Sequence, residues 1–346
     1  MKNDLPPAHL TIRPATPEEW DCHWNACPHA TYFQSRQWSE VWREYTEGAM
    51  QPEPCHITLA NGTSLVLPLT ASKSIKGLNR NYFMCPGSTY GGWLGETTPD
   101  AKTIRSLTEM ILKQCGNLTW RLSPIDPSAG QIDLEWYLDE TTHILDLEVG
   151  PERLLRSMSR GHRSSIKKAT REGVEIGQAE TIDDWYEYYE VYVDSLRRWG
   201  SRTTSNYHWR MFESLFQRSG QNVRLWVARV QRRIVAGAVC FSAKHHVVYW
   251  HGAALESFFH LRPVNLLFFE VIRHSEAEQK HWFDFNPSGR LEGVARFKRG
   301  FGAIETPSPV HLHHDMMTRL WKTIQSRSGR PVRGAAVVAK PGRKAA

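Results

Sequence analysis

A chain of 346 residues is longer than one small core requires and suits two domains. Its 40% hydrophobic and 23% charged residues form an ordinary globular mixture with enough apolar surface to fold unaided. The net charge of +7 is local: "RSGRPVRGAAVVAKPGRKAA", 327–346, carries six Lys/Arg and no acid, which leaves the rest of the chain near neutrality. Bulk charge therefore names no partner, and this Gly/Pro/Ala-rich tail is expected to be disordered. No run approaches the ~20 apolar residues of a membrane span, and "MKNDLPPAHLTIRP" lacks the apolar centre of a secretory signal. The six cysteines are scattered with no CxxC pair, so they read as buried thiols of a reducing, cytoplasmic compartment.

In chain order, Tyr32 to Tyr45 carries a helical apolar stripe of Trp38, Val41, Trp42 and Tyr45. A hairpin follows, "CHITLA" and "SLVLPLT" joined through Asn61-Gly62. A helix over about 101–115 leads into the strand "LTWRLSP". Beyond Val149-Gly150-Pro151, helices are expected over 151–172, 183–198 and 206–218. The strands "VRLWVARV", "IVAGAVCFS" and "VVYWHGA" come next, then a helix over 263–280 and the strand "WFDFNP". Each half thus runs helix, antiparallel hairpin, helix, strand, which we read as duplication of one α/β (α+β) unit. The expected domains are 1–149 and 150–310, a docked helix over 311–326, and the basic tail 327–346.

Three segments carry candidate chemistry. In "ARFKRGFGA", 295–303, Lys298 lies between Phe297 and Phe301 with Gly300 and Gly302 behind it. A cation in a water-poor aromatic corner could stabilise an oxyanion, and the glycines could let backbone approach a ligand. The alternative is a lysine stem lying over a Phe297/Phe301 packing pair, its ammonium in solvent. Arg153, Arg156, Arg160, Arg163, Lys167 and Arg171 recur every three or four residues, so they share one helical face, with Gly161 a point of interruption. Such a face suits polyanions or an anionic membrane surface, or is simply solvated. The glycine-rich "CPGSTYGGWLG", 85–95, could form an anion nest or a substrate-site turn, with Tyr90 its residue of interest. His311, His313 and His314 lack a partner set and read as surface residues; no metal site is expected. His251 reads as a core histidine of its strand.

The order helix, hairpin, strand, helix, strand resembles the GNAT acyltransferase fold. Two such units in tandem, with "TYFQSRQW", "RGHRSSIKKATREGV" and "FDFNPSGRLEGVARFKRGFGA", resemble the FemAB-like Fem aminoacyltransferases over about 30–325. The resemblance implies two tandem GNAT-like units with a cleft between them. It also implies a soluble enzyme at the inner face of the membrane, moving an aminoacyl group from aminoacyl-tRNA to an amine of a peptidoglycan or other envelope precursor or peptide, without a cofactor. It places Phe297 and Lys298 at the reacting ester, and Arg198, Arg202 and Tyr207 near acceptor phosphates. The family's Trp-x-x-x-Lys in the first helix reads Trp38…Trp42 here, with Arg43 next, which puts the usual UDP-linked acceptor in doubt. Two other readings stay open. One is an acyl-CoA-dependent N-acyltransferase, against which stands the absence of any glycine from Ala253 to Ser288, where the pyrophosphate loop would fall. The other is a non-catalytic RNA- or membrane-binding protein that uses the basic stripe. The helix expected around Asp315 to Gln325, with Met316, Leu320 and Ile324 at helical spacing, should return to the first domain.

Overall fold

The computed structural model describes residues 10–73, 80–134, 138–200, 206–289 and 291–314. The chain divides into two units, one of residues 1–139 and 308–346, the other of residues 140–307. The first unit begins with β1 (Thr11–Pro14), α1 (Pro17–Ala26) and α2 (Arg36–Tyr45). Thr16 and Glu19 close a capping box on α1, and the Ser35 hydroxyl caps α2 by accepting from Trp38 N–H. Strands β2 (Met50–Pro52), β3 (Cys55–Thr58), β4 (Ser64–Leu67), β5 (Thr70–Lys73), β6 (Arg80–Phe83) and β7 (Tyr90–Gly91) follow, then α3 (Ala101–Gln114) and β8 (Asn117–Leu122). The hairpin β3–β4 turns where the sequence places Asn61-Gly62, with Gly62 at φ +83°.

The second unit opens with β9 (Thr141–Asp146), α4 (Pro151–Ser157), α5 (Arg160–Arg171), β10 (Glu175–Gln178), α6 (Ile182–Trp199) and α7 (Trp209–Phe216). It continues through β11 (Val223–Val230), β12 (Arg233–Ser242), β13 (His246–Ala254), α8 (Pro263–Ala277), β14 (Trp282–Asp284), α9 (Glu292–Arg299) and β15 (Ile304–Pro307). These strands form one seven-stranded sheet ordered β10-β11-β12-β13-β14-β9-β15, and only β13–β14 is parallel. Its core gathers Leu145, Trp226, Phe268, Phe283, Phe285 and Phe301. The near-continuous apolar run "IVAGAVC" lies on β12, a strand buried along almost its whole length.

Several expectations change. The division falls at 139/140 rather than 149/150, because β9 pairs with both β14 and β15 and so belongs to the second sheet. Residues 310–314 are not the start of a helix. They form β16 (Val310–His314), antiparallel to β8 in the first unit, and this ends the second unit at 307. The expected helix at 315–325 and the tail lie outside the described residues. The helix expected over 151–172 is two helices: it breaks at Met158, which is extended, and Ser159 then caps α5. Gly161 sits inside α5 and does not interrupt it.

Both units contain a strand, a helix and a parallel strand. In the first, β6 pairs β8 after α3; in the second, β13 pairs β14 after α8. In the second unit the pair lasts three residues, from His246↔Trp282 to Val248↔Asp284. β13 then continues to Ala254 against β12, while β14 stops. From Tyr249 to Ala254 the other edge of β13 carries no strand among the described residues. This seam positions the candidate site.

Candidate functional site at the β13–β14 seam

Lys298 belongs to α9, not to an irregular corner. Glu292 stands in the first turn of α9 and Arg296, Lys298 and Arg299 in the last, the charge order a helix dipole favours. Ala295 and Lys298, three residues apart, form the buried face. The lysine is 3% exposed and its Nζ donates to the Asn286 carbonyl at 2.5 Å. It therefore does not lay its stem over Phe297 and Phe301 with its head in solvent; it turns inward to the end of β14. Burial lowers its pKa to about 8, and the nearby Asp284 carboxylate opposes part of that fall. At neutral pH such a lysine is mostly cationic.

The glycines have a packing role. A Cβ on Gly300 would lie 2.2 Å from His162 Nε2, and one on Gly302, at φ +90°, would lie 2.3 Å from Ser157 Oγ. They admit the α4–α5 junction against the exit of α9, so backbone approach to a ligand is not what requires them. Phe297 and Phe301 stand 5.3 Å apart, and the His162 ring lies 4.3 Å from Phe301 and 5.0 Å from Phe297. A cavity of about 570 Å³ opens beside this packing, lined by His162, Arg296, Phe297 and Arg299. Lys298 does not line it, so we place the reactive end at the seam.

Around Lys298 lies a buried polar cluster that sequence reasoning missed. Asp284 is 0% exposed; its Oδ1 accepts from Thr142 Oγ1 at 2.6 Å and from Asn286 N–H at 2.7 Å. His246 Nε2 stands 3.4 Å from Asp284 Oδ2. His143 is 1% exposed, and neither ring nitrogen has a hydrogen-bond partner among the described residues. Burial first, and then the charge of Lys298, lower its pKa and so favour the neutral imidazole. The signal in the sequence was the acid in "WFDFNP", an ionisable residue inside an aromatic strand.

Of the other expected residues, two lie along the unpaired stretch of β13. Arg198 Nη1 donates to the Ala254 carbonyl at 3.1 Å, and its guanidinium lies 4.9 Å over the Phe259 ring. Tyr207 N–H donates to Tyr192 Oη at 3.0 Å, and its ring stands 5.1 Å from Trp250 and 6.0 Å from His251. His251 is buried as expected, its Nδ1 2.7 Å from Tyr188 Oη, and burial pushes its pKa down to about 3. Arg202 lies outside the described residues. Tyr90 and Arg43 belong to the first unit. Tyr90 is fully buried with its ring 5.6 Å from Phe33, so it presents nothing to a substrate, and Arg43 is exposed in the last turn of α2. The loop around Tyr90 is filled from within: Trp38 Nε1 donates to Pro86 O at 3.3 Å and Arg121 Nε to Ser88 O at 2.8 Å.

The basic stripe separates into roles. Arg163 Nη1 donates to the carbonyls of Met158 at 2.6 Å and Arg156 at 3.1 Å, so it is spent on the end of α4. Arg171 lies 3.5 Å from Glu172, whereas Arg160 and Lys167 are exposed on α5. His311 is buried on β16 rather than at the surface. Among the described residues no group of His, Cys, Asp and Glu is arranged to hold a metal, and no helix is long and apolar enough to cross a membrane.

Residues 156–299 match the family model described as an acetyltransferase (GNAT) domain, a span that runs from the end of α4 through the Phe-Lys pair of α9. The matched span lies within the second unit, so that unit carries a GNAT-type acetyltransferase domain. In fold the chain is similar to FemX, which superposes with a TM-score of 0.70 at 12% identity, covering 91% of this chain and 100% of that one. A C-terminal domain named for a lysylphosphatidylglycerol synthetase of Agrobacterium fabrum gives 0.56 at 11% identity, covering 92% and 99%. L-PGS of Bacillus licheniformis gives 0.55 at 10% identity, covering 91% and 97%. No curated protein matches the sequence.

Proposed function

We propose that the chain transfers an aminoacyl group from aminoacyl-tRNA to an amine of a cell-envelope precursor, such as a peptidoglycan building block or peptide, at the inner face of the membrane. The observation that carries this is the buried, largely cationic Lys298 held at the parting of β13 and β14. In the reaction the acceptor nitrogen bonds to the ester carbonyl carbon and the carbonyl oxygen becomes anionic. The carbon–oxygen bond to the tRNA ribose then breaks, and a proton passes from the nitrogen to the departing ribose oxygen. A fixed ammonium out of bulk water stabilises the anionic oxygen by several kcal/mol. Arg198 at the Ala254 carbonyl and Tyr207 beside the Trp250 and His251 rings stand near the later part of β13 and suit an acceptor's polar groups. The fold of FemX and of the two proteins named for or as L-PGS supports the aminoacyl donor over others.

One observation favours a second reading. The matched domain is described as an acetyltransferase, which suits acyl-CoA. Against it, the connection from β13 to α8 has no glycine, and it ends on Arg262 at φ +61° just before Pro263 opens α8, so a glycine-lined pyrophosphate cradle is missing there. The deciding experiment measures binding and single-turnover transfer with labelled aminoacyl-tRNA and with acetyl-CoA side by side. Saturable tRNA binding with transfer supports the first reading; transfer from acetyl-CoA alone overturns it.

A further inference from the structure

We propose that Asp284 is the positioning residue of Lys298, acting through the main chain of Asn286. The inference rests on the reading of Lys298 as the charge-stabilising group, and adds the part that aims it. β9 and β14 pair Asp284 with Ile144, so alternation puts Thr142, Ile144 and Asp284 on one face of the sheet. Phe283 and Phe285 point to the other face, where Phe301, just beyond α9, lies 5.6 Å from Phe285. Lys298 and Asp284 meet at residue 286, just beyond the end of β14. Asp284 Oδ1 takes the Asn286 N–H, and Lys298 Nζ donates to the Asn286 carbonyl. Residue 286 is held at φ +61°, a left-handed conformation that asparagine tolerates better than most residues. It stands two residues beyond the last β13–β14 pair, at the point where the seam opens.

The clamp explains three features together. A carboxylate buried at 0% exposure needs donors; Thr142 and Asn286 supply them to Oδ1, while Oδ2 faces His246 Nε2 at 3.4 Å. A lysine buried at 3% exposure needs an acceptor and a counter-charge; the Asn286 carbonyl gives the first and Asp284 the second. The left-handed turn follows because Asp284 Oδ1 draws the amide of residue 286 back toward its own strand. No direct ion pair joins Asp284 to Lys298 among the described residues, so the carboxylate orients the lysine through the peptide and supports its charge through space.

The test follows the titration of Lys298 by the ¹³Cε shift in lysine-labelled protein, with Lys298→Arg assigning the signal. Asp284→Asn keeps an acceptor for the Asn286 amide but removes the charge, so the Lys298 midpoint should fall by on the order of one pH unit. Thr142→Val keeps the shape of the site and removes one donor to Oδ1; its midpoint should fall by less. Asn286→Gly accepts the positive φ and leaves both main-chain bonds in place, so it should titrate as wild type. A folded Asp284→Asn protein with an unshifted midpoint overturns the proposal. If that variant does not fold, a wild-type midpoint in Thr142→Val overturns it instead. The titration reads Asp284 whether or not Lys298 carries turnover, so failure of the catalytic reading appears separately, in the rate of Lys298→Met.

Discussion

The two units solve the same topological problem differently. In each, a strand parts from its parallel neighbour after a helical crossover. In the first unit β6 pairs β8 only at Tyr82↔Leu118 and Phe83↔Thr119; then β7 takes over the same edge at Tyr90↔Arg121 and Gly91↔Leu122. Met84 packs so close to Gly91 that a Cβ there would lie 2.3 Å from Met84 Cγ, and Trp120 Nε1 donates to the Gly91 carbonyl at 3.1 Å. That seam is sewn shut with main-chain bonds and apolar side chains. In the second unit no strand follows β14 onto β13 among the described residues, and the place is held by Asn286, Lys298 and the buried Asp284. One seam is stabilised by filling. The other keeps charged and polar groups where apolar packing would be the more stable filling.

The sharpest way to break this contrast is Lys298→Met, which replaces the ammonium with an apolar stem of similar length. If the open seam is the reacting centre, single-turnover transfer should fall on the order of 10²–10³-fold with the fold intact. Lys298→Arg should recover part of it, since a planar guanidinium cannot occupy the same point. A folded variant at wild-type rate would leave the two seams functionally alike. The same lysine gives the pH test. Its pKa is about 8 in the folded protein and 10.5 as an ordinary lysine. Between those values the unfolded chain holds a proton that the folded one has lost, so wild-type stability should rise with pH across that window, and below it the cost of the buried charge is constant. Denaturant melts at pH 7.5 and 10 should show this rise in the wild type and a smaller one in Lys298→Met.

Much of this contrast was legible in the sequence, and the remainder was hidden for physical reasons. Apolar patterning located the β11–β12–β13 run, α3, α8 and the strand "WFDFNP", because α3 and α8 each pack one apolar face on a core and β12 is buried on both faces. β9 was missed and the boundary misplaced, since a strand joins a sheet through partners far along the chain, here Trp282 to Asp284 and Ile304 to Pro307. The Phe-Lys pair marked α9 but not the direction of the side chain; a lysine between two phenylalanines reads equally as a covering stem. Asp284 went unnoticed because its partners, Thr142 and the Asn286 amide, are assembled only by the fold. Tyr90 drew attention for its glycine-rich surroundings, yet those glycines serve close packing around Trp42 and Met84.

Filling the closed seam further should harm stability alone. Gly91→Ala places a methyl group 2.3 Å from Met84 Cγ and 2.6 Å from Met84 Cβ, an overpacking that costs on the order of 1–3 kcal/mol. Its thermal midpoint should drop while the rate per folded molecule stays at wild type. Adding Met84→Ala should give a smaller loss than the two single losses summed, because the second change removes the atoms the first one strikes. Full additivity would show that Gly91 and Met84 are not the contact that closes the seam.

The smallest effects should separate members of the basic stripe in the second unit. If the open seam receives the ester end of a polyanion, helix α5, which packs against α8, should feel the rest of its charge. Arg160 and Lys167 are exposed there, and Arg160→Glu or Lys167→Glu should leave the melt unchanged while weakening tRNA binding. Each should also reduce the salt slope by about one. Arg163 sits in the same stripe but gives its Nη1 to the Met158 and Arg156 carbonyls, at the break between α4 and α5. Arg163→Gln should therefore lower stability by on the order of 1 kcal/mol and change the salt slope little. A melt and a salt titration on the same three variants read both effects. An inverted pattern, with Arg163 governing the slope and Arg160 the melt, would assign the stripe's charge to the wrong residues. A flat slope in all three would make the stripe a solvated face and leave the seam without a polyanion beside it.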